Sequence, residues 1–506
     1  MCNPPSTKVG AGRLGGNGAA ALFQSGVLDA APMSDAPAKR LPDPGLVPPA
    51  VTGVLRTLRG ANKQAWLAGG AVRDLLRIAE GEKLTPPQDF DVATDALPEE
   101  VQRLFPRTAP TGIAHGTVTV LADEEHQVEV TTFRGEGPYL DGRRPSSVVF
   151  LGDIEGDLAR RDFTVNAMAW DPLAGELRDP FGGARDLRRG LLRAVGEPLD
   201  RFREDGLRPL RAVRFASTLR LALDRRTERA IPQALDVFAK VAWERVREEL
   251  TKLLVRGDPA SRGIRLLRRT GLLARIIPEL LEGVRFEQNQ YHAYDVFRHT
   301  LRAVDFAPRD LTVRLAALLH DVAKPRSAQP PEPRGEHTFY KHEVIGAEMT
   351  REILLRLRYP NREAERVALL VREHNWHYLP EWSDATVRRT IARIGPDALP
   401  ALWQLRQSDL RARGRLVEEG LENQRQLEAR FEAELLRAAA LKVTDLAIGG
   451  EEVMSVTGIA PGKRVGQILT ALLDRVLDDP DLNTREALMR LASELARSPS
   501  TGNPQG

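Results

Sequence analysis

Cysteine and long apolar runs are nearly absent from this chain of 506 residues, and both absences narrow what it can be. The single cysteine is Cys2, so neither an intramolecular disulfide nor a cysteine-based zinc cluster can form. This fits a reducing, cytoplasmic setting. No run approaches the roughly 20 apolar residues that a membrane helix needs, so we expect a soluble protein with no membrane partner.

A strong excess of charge of either sign is also missing. The net charge is +3 and the pI is about 9.0, which alone says little about a nucleic-acid partner. Lysine is scarce, with 10 lysines against 63 arginines, and such a skew can reflect genome base composition. The position of the arginines along the chain is more informative than their number, because residues 201–229 carry nine arginines and only four carboxylates. Beside a nucleotide site, such a basic stripe is suited to phosphate binding.

The N-terminal residues lack apolar periodicity. Residues 1–48 are rich in Gly, Ala and Pro, and we expect them to be a disordered leader. They contain no basic segment followed by a compact apolar stretch, so a secretory signal peptide is not expected, and Met33 is an alternative start. The remaining chain is too long for one core and predicts about three or four domains.

Two carboxylates one residue apart, Asp89 and Asp91, are the most informative residues that are present. Residues two apart on a strand share one face, so both aspartates can hold one cation while Phe90 points into the core. Oxygen ligands of this type suit Mg²⁺, which binds a nucleoside triphosphate and neutralises charge as the α-phosphorus is attacked. Taken alone, the pair is more often a solvated strand end.

A Gly-Gly turn precedes the aspartates in the same short segment. Gly69 and Gly70 lack a Cβ atom, so the backbone can approach phosphate oxygens, and the next helix directs its free N–H groups at them. Arg73 adds a fork of donors on that helix. Each part is weak evidence, but their combination in one unit favours nucleotidyl transfer.

A helix is expected over 51–59. Alternating apolar patterns predict strands over 118–121 and 128–133. The second strand places Glu129 opposite the aspartate pair. A third carboxylate there can bind metal or accept the proton of an attacking hydroxyl. The alternative is an ordinary strand carboxylate paired with an arginine.

Four polar residues recur at every third position after residue 204: Asp205, Arg208, Arg211 and Arg214. This spacing predicts one gently drifting helical face that meets one ligand. An aspartate accepts and an arginine donates, so the set can read the Watson–Crick edge of a base. Pro209 predicts a kink or a helix start nearby. The alternative is a ladder of surface ion pairs.

Taken in order from about Trp66 to about Ala492, these motifs resemble those of class II tRNA nucleotidyltransferases and bacterial poly(A) polymerases. The resemblance implies a polymerase-β-like head that uses Mg²⁺, CTP and ATP to extend the 3′ end of tRNA. It also implies that the E-D-x-x-R motif, formed here by Glu204, Asp205 and Arg208, selects both nucleotides.

The segment DLARRDFTVNAMAWD, residues 157–171, resembles the second motif of that family. An arginine of this motif contacts the triphosphate or the sugar, which favours Arg161, with Arg160 next. The resemblance has Asp162 and Asn166 shape the ribose pocket. Without the neighbouring motifs, the simpler interpretation is a capped surface helix.

Histidines and aspartates form a second constellation in the helical C-terminal half: His299, His320, Asp321, His342 and Asp409. Imidazole and carboxylate ligands from several helices suit a divalent transition metal such as Ni, Mn or Co, which would activate water toward phosphate esters. The order resembles that of the HD phosphohydrolase domain. A vestigial domain that keeps its ligands without activity is the alternative.

Accessory and RNA-binding candidates complete the set. His374 and His377 are accessory candidates for the HD site, although such histidines more often pack or are solvated. The turn over 458–466 precedes a helix and exposes Lys463 and Arg464 to phosphate, which resembles the tRNA-binding tail of the family. The alternative is a plain loop with a helix cap.

Three functions follow as hypotheses: CCA addition to tRNA, addition of A only to tRNA or to RNA generally, and a phosphohydrolase or RNA-binding protein with an inactive head. The polar loop over 134–150 looks like the flexible loop of CCA-adding members, and residues 111–120 resemble the same type. Neither segment separates CCA addition from A addition.

The predicted fold class is α+β, with a small mixed sheet in the head and an elongated, mostly helical body that includes an HD domain. No oligomeric state follows from the sequence. The expected divisions are a leader (1–48), a nucleotidyltransferase head (49–197), a helical neck for the nucleotide template and RNA (198–285), the HD domain (286–420) and a tRNA-binding tail (421–506).

Overall fold

The computed structural model describes residues 40–113, 116–136, 148–329, 337–375, 381–437 and 440–497. The strands are β1 (Ala65–Ala68), β2 (Phe90–Thr94), β3 (Thr108–Gly112), β4 (Thr117–Leu121), β5 (Gln127–Thr132), β6 (Arg134–Glu136), β7 (Val148–Phe150), β8 (Ala169–Asp171), β9 (Glu176–Arg178), β10 (Leu191–Leu192), β11 (Ala222–Leu223), β12 (Ala328–Gln329) and β13 (Thr338–Phe339).

Helices dominate the rest of the described chain. They are α1 (Pro49–Gly60), α2 (Gly70–Ala79), α3 (Pro98–Leu104), α4 (Ile154–Ala159), α5 (Gly183–Arg188), α6 (Pro198–Glu204), α7 (Arg208–Thr218), α8 (Arg225–Ala230), α9 (Leu235–Phe238), α10 (Trp243–Arg256), α11 (Ala260–Arg269), α12 (Leu273–Ile276), α13 (Val296–Phe306), α14 (Leu311–Leu319), α15 (Lys324–Ser327), α16 (His342–Arg356), α17 (Asn361–Arg372), α18 (Asp384–Ile394), α19 (Leu399–Arg413), α20 (Val417–Arg437), α21 (Gly450–Thr457), α22 (Lys463–Asp478) and α23 (Arg485–Arg497).

A seven-stranded mixed sheet forms the head, in the order β3-β4-β5-β2-β1-β8-β9. Only β2 and β5 pair in parallel among its neighbours, and their register sets Asp91 opposite Glu129. Phe90 is 2% exposed, so alternation along β2 turns Asp91 away from that core. The predicted helix and both predicted strands are confirmed to within two residues at each end.

Two apolar cores hold the sheet between helices. One face packs on α1 and α2, where Leu55, Leu58 and Leu75 are fully buried, and the other face packs on Leu158 of α4. Val47 joins the first core at 4% exposure. The expected leader is therefore wrong for its last residues, because an apolar side chain there completes the core; the leader's residues 1–39 lie outside the described part.

The helical body is built from amphipathic helices that share one continuous core from Phe163 to Phe431. Residues 440–492 form a separate small core around Leu472 and Leu488. Among the described residues, no helix is long and apolar enough to cross a membrane. The sheet-bearing head followed by a mostly helical body matches the predicted fold class.

Candidate functional site

A cleft of about 420 Å³ opens where the sheet of the head meets α7. It brings together the glycine turn before α2, the carboxylates of β2 and β5, the arginines after α4 and the start of α7. Its lining residues are Gly69, Gly70, Arg73, Asp91, Val92, Ala93, Thr117, Glu129, Thr131, Arg134, Arg160, Arg161, Asp162, Asn166, Asp205, Arg208, Arg211 and Phe215.

Two carboxylates, Asp91 and Glu129, line the sheet side of this cleft, and the predicted Asp89 lies near them without being part of the lining. Asp91 and Glu129 are register partners on parallel strands, and the exposed Asp89 lies just before β2. Burial of the carboxyl raises the pKa of Asp91, Arg161 opposes this, and the charges of Glu129 and Asp89 raise it further. A cluster of like charges is relieved by a cation, so this donor set fits a divalent metal.

A side chain at Gly69 would strain the backbone of the turn and displace Arg161. The φ of Gly69 is +79°, and a Cβ atom there would lie 2.6 Å from Nη1 of Arg161 and 3.6 Å from Oδ2 of Asp91. The glycine therefore lets the backbone reach the carboxylate and the guanidinium at once. The expected start of α2 directly after this turn is confirmed at Gly70.

Arg73 is turned inward at the back of the turn. Its Nη1 donates to Oδ1 of Asn166 at 2.7 Å, and Nε and Nη2 donate to Asp74 at 2.9 and 2.7 Å. The side chain is only 8% exposed. It lines the cleft while holding the segment after α4 in place.

Arg160 and Arg161 both line the cleft and share Asp157 beneath them. Arg160 donates to Oδ1 of Asp157 at 3.0 and 2.6 Å, and Arg161 donates to Oδ2 at 3.2 Å. Burial acts to raise the pKa of Asp157, but Arg161 and then Arg160 outweigh it and the pKa is lowered. One buried carboxylate thus orients both guanidinium groups.

Asp162 connects the head to α7. Its Oδ2 accepts from Nε and Nη2 of Arg211 at 2.9 and 2.7 Å, and its Oδ1 accepts from Nδ2 of Asn166 at 3.1 Å. Burial opposes ionisation, but Arg211 and these hydrogen bonds lower the pKa of Asp162. Asp162 therefore positions Arg211 and Asn166 on the cleft wall.

The prediction that four polar residues of the neck share one helical face is wrong for the first of them, Asp205. Asp205 lies in the break between α6 and α7 with extended backbone, φ −138° and ψ 109°. The helix begins at Arg208 with Pro209 in its first turn, as the proline predicted. Gly206 lies in this break and lets the chain pass close to α9, because a Cβ atom there would lie 2.5 Å from the carbonyl oxygen of Val237.

Asp205 and Arg208 nevertheless both reach the cleft, and each is held by other residues. Asp205 accepts from Nη1 and Nη2 of Arg245 at 3.1 and 2.7 Å. Arg208 donates to Oε2 of Glu204 at 2.6 Å and to the carbonyl oxygen of Arg160 at 3.0 Å. Arg245 was not identified from the sequence, since it lies forty residues away in α10.

Arg214 does not line the cleft, which corrects the predicted face a second time. Its Nε donates to Oε2 of Glu249 at 2.6 Å, and its guanidinium carbon lies 3.5 Å from the centroid of Phe215. Phe215 instead takes a place on the cleft wall, with Arg73 and Arg211 within 5.6 and 5.3 Å of its ring. No residue spacing in the sequence indicates that guanidinium groups would pack against this aromatic ring.

Thr117, Thr131 and Arg134 are further lining residues that sequence reasoning missed. Alternation along β4 and β5 was the available signal for the two threonines. Residues 114–115 of the predicted CCA-type segment, residues 137–147 of the predicted loop, and His377 lie outside the described residues. The ends of that predicted loop pair as β6 and β7.

The predicted HD residues converge in the helical body. Nε2 of His299 lies 3.1 Å from Nε2 of His320, 2.9 Å from Oδ1 of Asp409 and 3.4 Å from Oδ2 of Asp321. Burial opposes protonation, but Asp321 and Asp409 raise the pKa of His320 to about 10. Nitrogen and oxygen ligands that face each other at this range fit a divalent metal.

His342 and the accessory candidate His374 complete the cluster on its other side. Their Nε2 atoms lie 3.7 and 3.8 Å from Oδ1 of Asp321. All of these side chains are at least nine-tenths buried.

The two tail candidates differ in their surroundings. Lys463 is exposed at the first position of α22, directly after Gly462. Arg464 is half-buried and donates to the carbonyl oxygen of Leu495 at 3.1 Å. Within the described part of the tail, Lys463 is the cation of this turn that has no such backbone contact.

Three family models match successive parts of the chain. They are the poly A polymerase head domain over residues 65–193, the "Probable RNA and SrmB- binding site of polymerase A" over 220–283, and the HD domain over 290–418. The poly A polymerase head model covers most of the cleft, including both arginines after α4.

Two curated relatives and one solved structure extend this match. The A-adding tRNA nucleotidyltransferase of Deinococcus radiodurans is 41% identical over 428 residues, which cover 81% of this chain and 91% of that protein. The CCA-adding enzyme of Lactobacillus helveticus is 48% identical over 200 residues, but these cover only 40% of this chain and 48% of that enzyme. A crystal structure of the Bacillus stearothermophilus CCA-adding enzyme in complex with CTP superposes with a TM-score of 0.64 at 29% identity, covering 89% of this chain and 98% of that one.

The match along nearly the whole Deinococcus protein and the three successive models agree with the geometry of the cleft. This family of nucleotidyltransferases is typically metal dependent. The chain therefore belongs to the class II family of tRNA nucleotidyltransferases and poly(A) polymerases, with head, RNA-binding and HD domains.

Proposed function

We propose that this protein adds the CCA sequence to the 3′ end of tRNA from CTP and ATP and releases pyrophosphate. One observation carries the proposal: Asp91 and Glu129, whose carboxylates are of the type that binds a divalent metal, line the same cleft as Asp205 and Arg208, which can read a base edge. Because both groups share one cleft, an attacking hydroxyl can reach the α-phosphate while the edge of the base contacts the neck.

The head residues supply charge and orientation for the transfer. Asp91, Glu129 and Asp89 would hold Mg²⁺, which when bound neutralises the triphosphate and polarises the attacked phosphorus. Arg161 presents a fixed fork of donors to the phosphates, and the backbone at Gly69 approaches them closely. The 3′-hydroxyl of tRNA attacks the α-phosphorus, and pyrophosphate is the leaving group.

The neck pair selects the base by complementary hydrogen bonds. Cytosine and adenine both carry an amino group that donates and a ring nitrogen that accepts, whereas uracil and guanine present a carbonyl in place of the amino group. Asp205 accepts from the amino group and Arg208 donates to the ring nitrogen. A carbonyl facing Asp205 would leave two acceptors opposed, so UTP and GTP are rejected.

A second candidate, addition of the terminal A only, has its own support. The relative that aligns along most of this chain is an A-adding enzyme, whereas the alignments to CCA-adding relatives span about half of those proteins. The distinguishing experiment offers tRNA without CCA and tRNA ending in CC, with CTP and ATP singly and together. CTP incorporation into tRNA lacking CCA supports CCA addition, and incorporation of only ATP into only the CC-ending tRNA supports the second candidate.

We also propose a hydrolytic role for the HD cluster, with Ni²⁺, Mn²⁺ or Co²⁺ as the metal. Its substrates would be a 2′,3′-cyclic phosphate or a terminal phosphate on RNA, whose removal prepares a damaged end for addition. The convergence of His299, His320, Asp321 and Asp409 supports this role. Full-length protein without activity on these substrates, tested with each of the three ions and against His320→Ala, would remove the hydrolytic role.

A further inference from the structure

We propose that Arg134, Thr117 and Thr131 form the subsite for the 3′-terminal nucleotide of the RNA that is extended, with Arg134 paired to its phosphodiester group. All three residues line the cleft, but the binding of metal, of triphosphate and of the base edge uses none of them. This subsite rests on the proposed nucleotidyl transfer, to which it adds the position of the RNA end.

The order of the strands divides the cleft into two sides, with β2 between them. Asp91 of β2 is paired with Ala68, the last residue of β1, on one side and with Glu129 of β5 on the other. The glycine turn follows β1, and a Cβ atom at Gly69 would lie 2.6 Å from Nη1 of Arg161. The proposed triphosphate contacts therefore lie on the β1 side, whereas β5 and β4 form the opposite side.

The direction of attack follows from this division. In phosphoryl transfer, the attacking oxygen and the leaving oxygen lie roughly in line across the phosphorus. Pyrophosphate leaves toward the β1 side, because Gly69 and Arg161 meet the phosphates there. The 3′-hydroxyl must therefore approach from β5 and β4, past Glu129, and the nucleotide that carries this hydroxyl must lie on that part of the sheet.

Two threonine hydroxyls lie on that part of the sheet. Thr131 follows Glu129 by two residues on β5, so both side chains point to the same face. Thr117 of β4 is the partner of Thr131 across the ladder, and the two Oγ1 atoms are 3.0 Å apart. A hydroxyl donates one hydrogen bond and accepts two, so this half-buried pair keeps capacity for the ribose hydroxyls and phosphate oxygens of an RNA end.

Arg134 supplies positive charge on the same side, at the first position of β6 and two residues after the end of β5. The other arginines that line the described part of the cleft come from α2, from the two residues after α4 and from α7: Arg73, Arg160, Arg161, Arg208 and Arg211. Among the described residues, Arg134 is thus the lining cation of the β4 and β5 side. Its side chain is half-buried, and a guanidinium partly shielded from water forms a strong charge-assisted hydrogen bond with a phosphodiester.

The experiment separates RNA binding from nucleotide binding in the full-length protein. Incorporation of CTP and ATP into tRNA lacking CCA and into tRNA ending in CC gives KM for each tRNA, KM for each nucleotide and kcat. We expect Arg134→Ala to raise KM for the tRNA about ten- to a hundredfold, since loss of a hydrogen bond to a charged group has an effect of this size. KM for CTP and ATP should stay unchanged, because the triphosphate contacts lie on the other side of β2.

Three further variants test the chemistry of the subsite. Arg134→Lys keeps the charge and should recover part of the loss. Thr131→Val keeps the shape of the side chain without the hydroxyl and should raise KM for the tRNA about two- to tenfold. Arg178→Ala is the matched control, because Arg178 lies on β9 at the opposite edge of the same sheet, where it pairs with Glu176 at 2.7 Å, and it should leave every KM unchanged.

An unchanged KM for the tRNA in Arg134→Ala would overturn the subsite, and so would an equal rise in KM for CTP and ATP, which would assign Arg134 to the nucleotide. If circular dichroism shows Arg134→Ala to be unfolded, Arg134→Lys and Thr131→Val decide the matter by the same ratio of KM values.

Failure of the proposed transfer has a different signature. If the unaltered protein incorporates neither nucleotide into either tRNA, the transfer itself is removed. Fluorescence anisotropy with labelled tRNA ending in CC then measures RNA binding directly. Weaker binding by Arg134→Ala than by Arg178→Ala keeps the subsite, whereas equal affinities overturn it.

Discussion

Asp91 carries a conflict between stability and function. Its pKa is raised by burial and by the charges of Glu129 and Asp89, which together outweigh the opposing effect of Arg161. A raised carboxyl pKa means that ionisation destabilises the fold, and the cost grows as pH rises through that pKa. The same cluster is what a cation would bind, so the strain belongs to the proposed site.

We expect Asp91→Asn to lower nucleotide incorporation at least about a hundredfold, as does loss of a key electrostatic group at an active site. The melting temperature of the metal-free variant at neutral pH should rise, because a neutral amide removes the cost of burying the charge and the repulsion from Glu129, which together outweigh the attraction to Arg161. Incorporation assays and melting in a chelator test both. Asp123→Asn is the control of opposite sign, because a hydrogen bond from His126 lowers the pKa of Asp123; a lower melting temperature in both variants would contradict the argument.

Arg245 is a positioning residue for base selection, because its two nitrogens hold Asp205 at the break between α6 and α7. We expect Arg245→Ala to weaken discrimination of CTP and ATP against UTP and GTP by roughly ten- to a hundredfold, since small displacements of a recognition group have effects of this size. The ratio of kcat/KM for the four nucleotides measures it. Arg247→Ala on the same helix, whose partner is the carbonyl of Arg358, should keep the discrimination. Unchanged ratios in Arg245→Ala would remove this role.

At the scale of elements, the turn between β1 and α2 decides how close phosphate can come to the carboxylates. Its backbone conformation at Gly69 and the contact with Arg161 are separate requirements, because one is local and the other is tertiary. The break between α6 and α7 has the corresponding role in the neck. Gly206 lies within this break, and Pro209 lies in the first turn of α7.

Gly69→Ala and Gly81→Ala separate these two requirements. Both glycines have positive φ, +79° and +96°, so both substitutions should cost about 1–3 kcal/mol of stability. A Cβ atom at Gly69 would also displace Arg161, whereas nothing lies within 4 Å of one at Gly81. We therefore expect similar losses in chemical denaturation but loss of incorporation only for Gly69→Ala. Equal activity in the two variants would show that Arg161 is not needed at its present position.

At the scale of the whole molecule, a buried arginine joins the tail to the body. Arg388 of α18 donates to Oε2 of Glu434 at 2.6 Å and to the carbonyl oxygens of Leu477 and Asp478 at 2.7 and 2.8 Å. It thereby caps the end of α22 and pairs a glutamate that is 2% exposed. A buried charged contact thus links the tail, which has its own core, to the body.

Arg388→Ala should cost roughly 3–5 kcal/mol, because it leaves the buried carboxylate of Glu434 with only the longer contact from the exposed Arg437 at 3.5 Å. We expect faster proteolysis within residues 440–497, with incorporation into a short acceptor-stem substrate retained. Adjacent Arg389→Ala is the control, because its pair with Asp478 is about half exposed and should be worth at most about 1 kcal/mol. Adding Glu434→Leu to Arg388→Ala should restore most of the loss; no recovery would mean that packing dominates over the charge.

The features predicted correctly from the sequence are those whose chemistry is local. The glycine turn, the alternation around Phe90 and the helix start at Pro209 all depend on residues within one or two turns of chain, where backbone geometry follows from residue type. The family resemblance rests on the same local patterns, and the fold class followed from it.

Only the tertiary structure decided which partner each long side chain takes. The three-residue period placed Asp205 and Arg214 on one face, but Arg245 holds the first in a helix break and Glu249 draws the second beneath Phe215. Likewise, His374 joins Asp321 because α17 packs beside α16, not because of its place in the sequence. The period of a sequence pattern describes one helix at a time. The partner of a buried charge is set instead by whichever element packs beside it in the core.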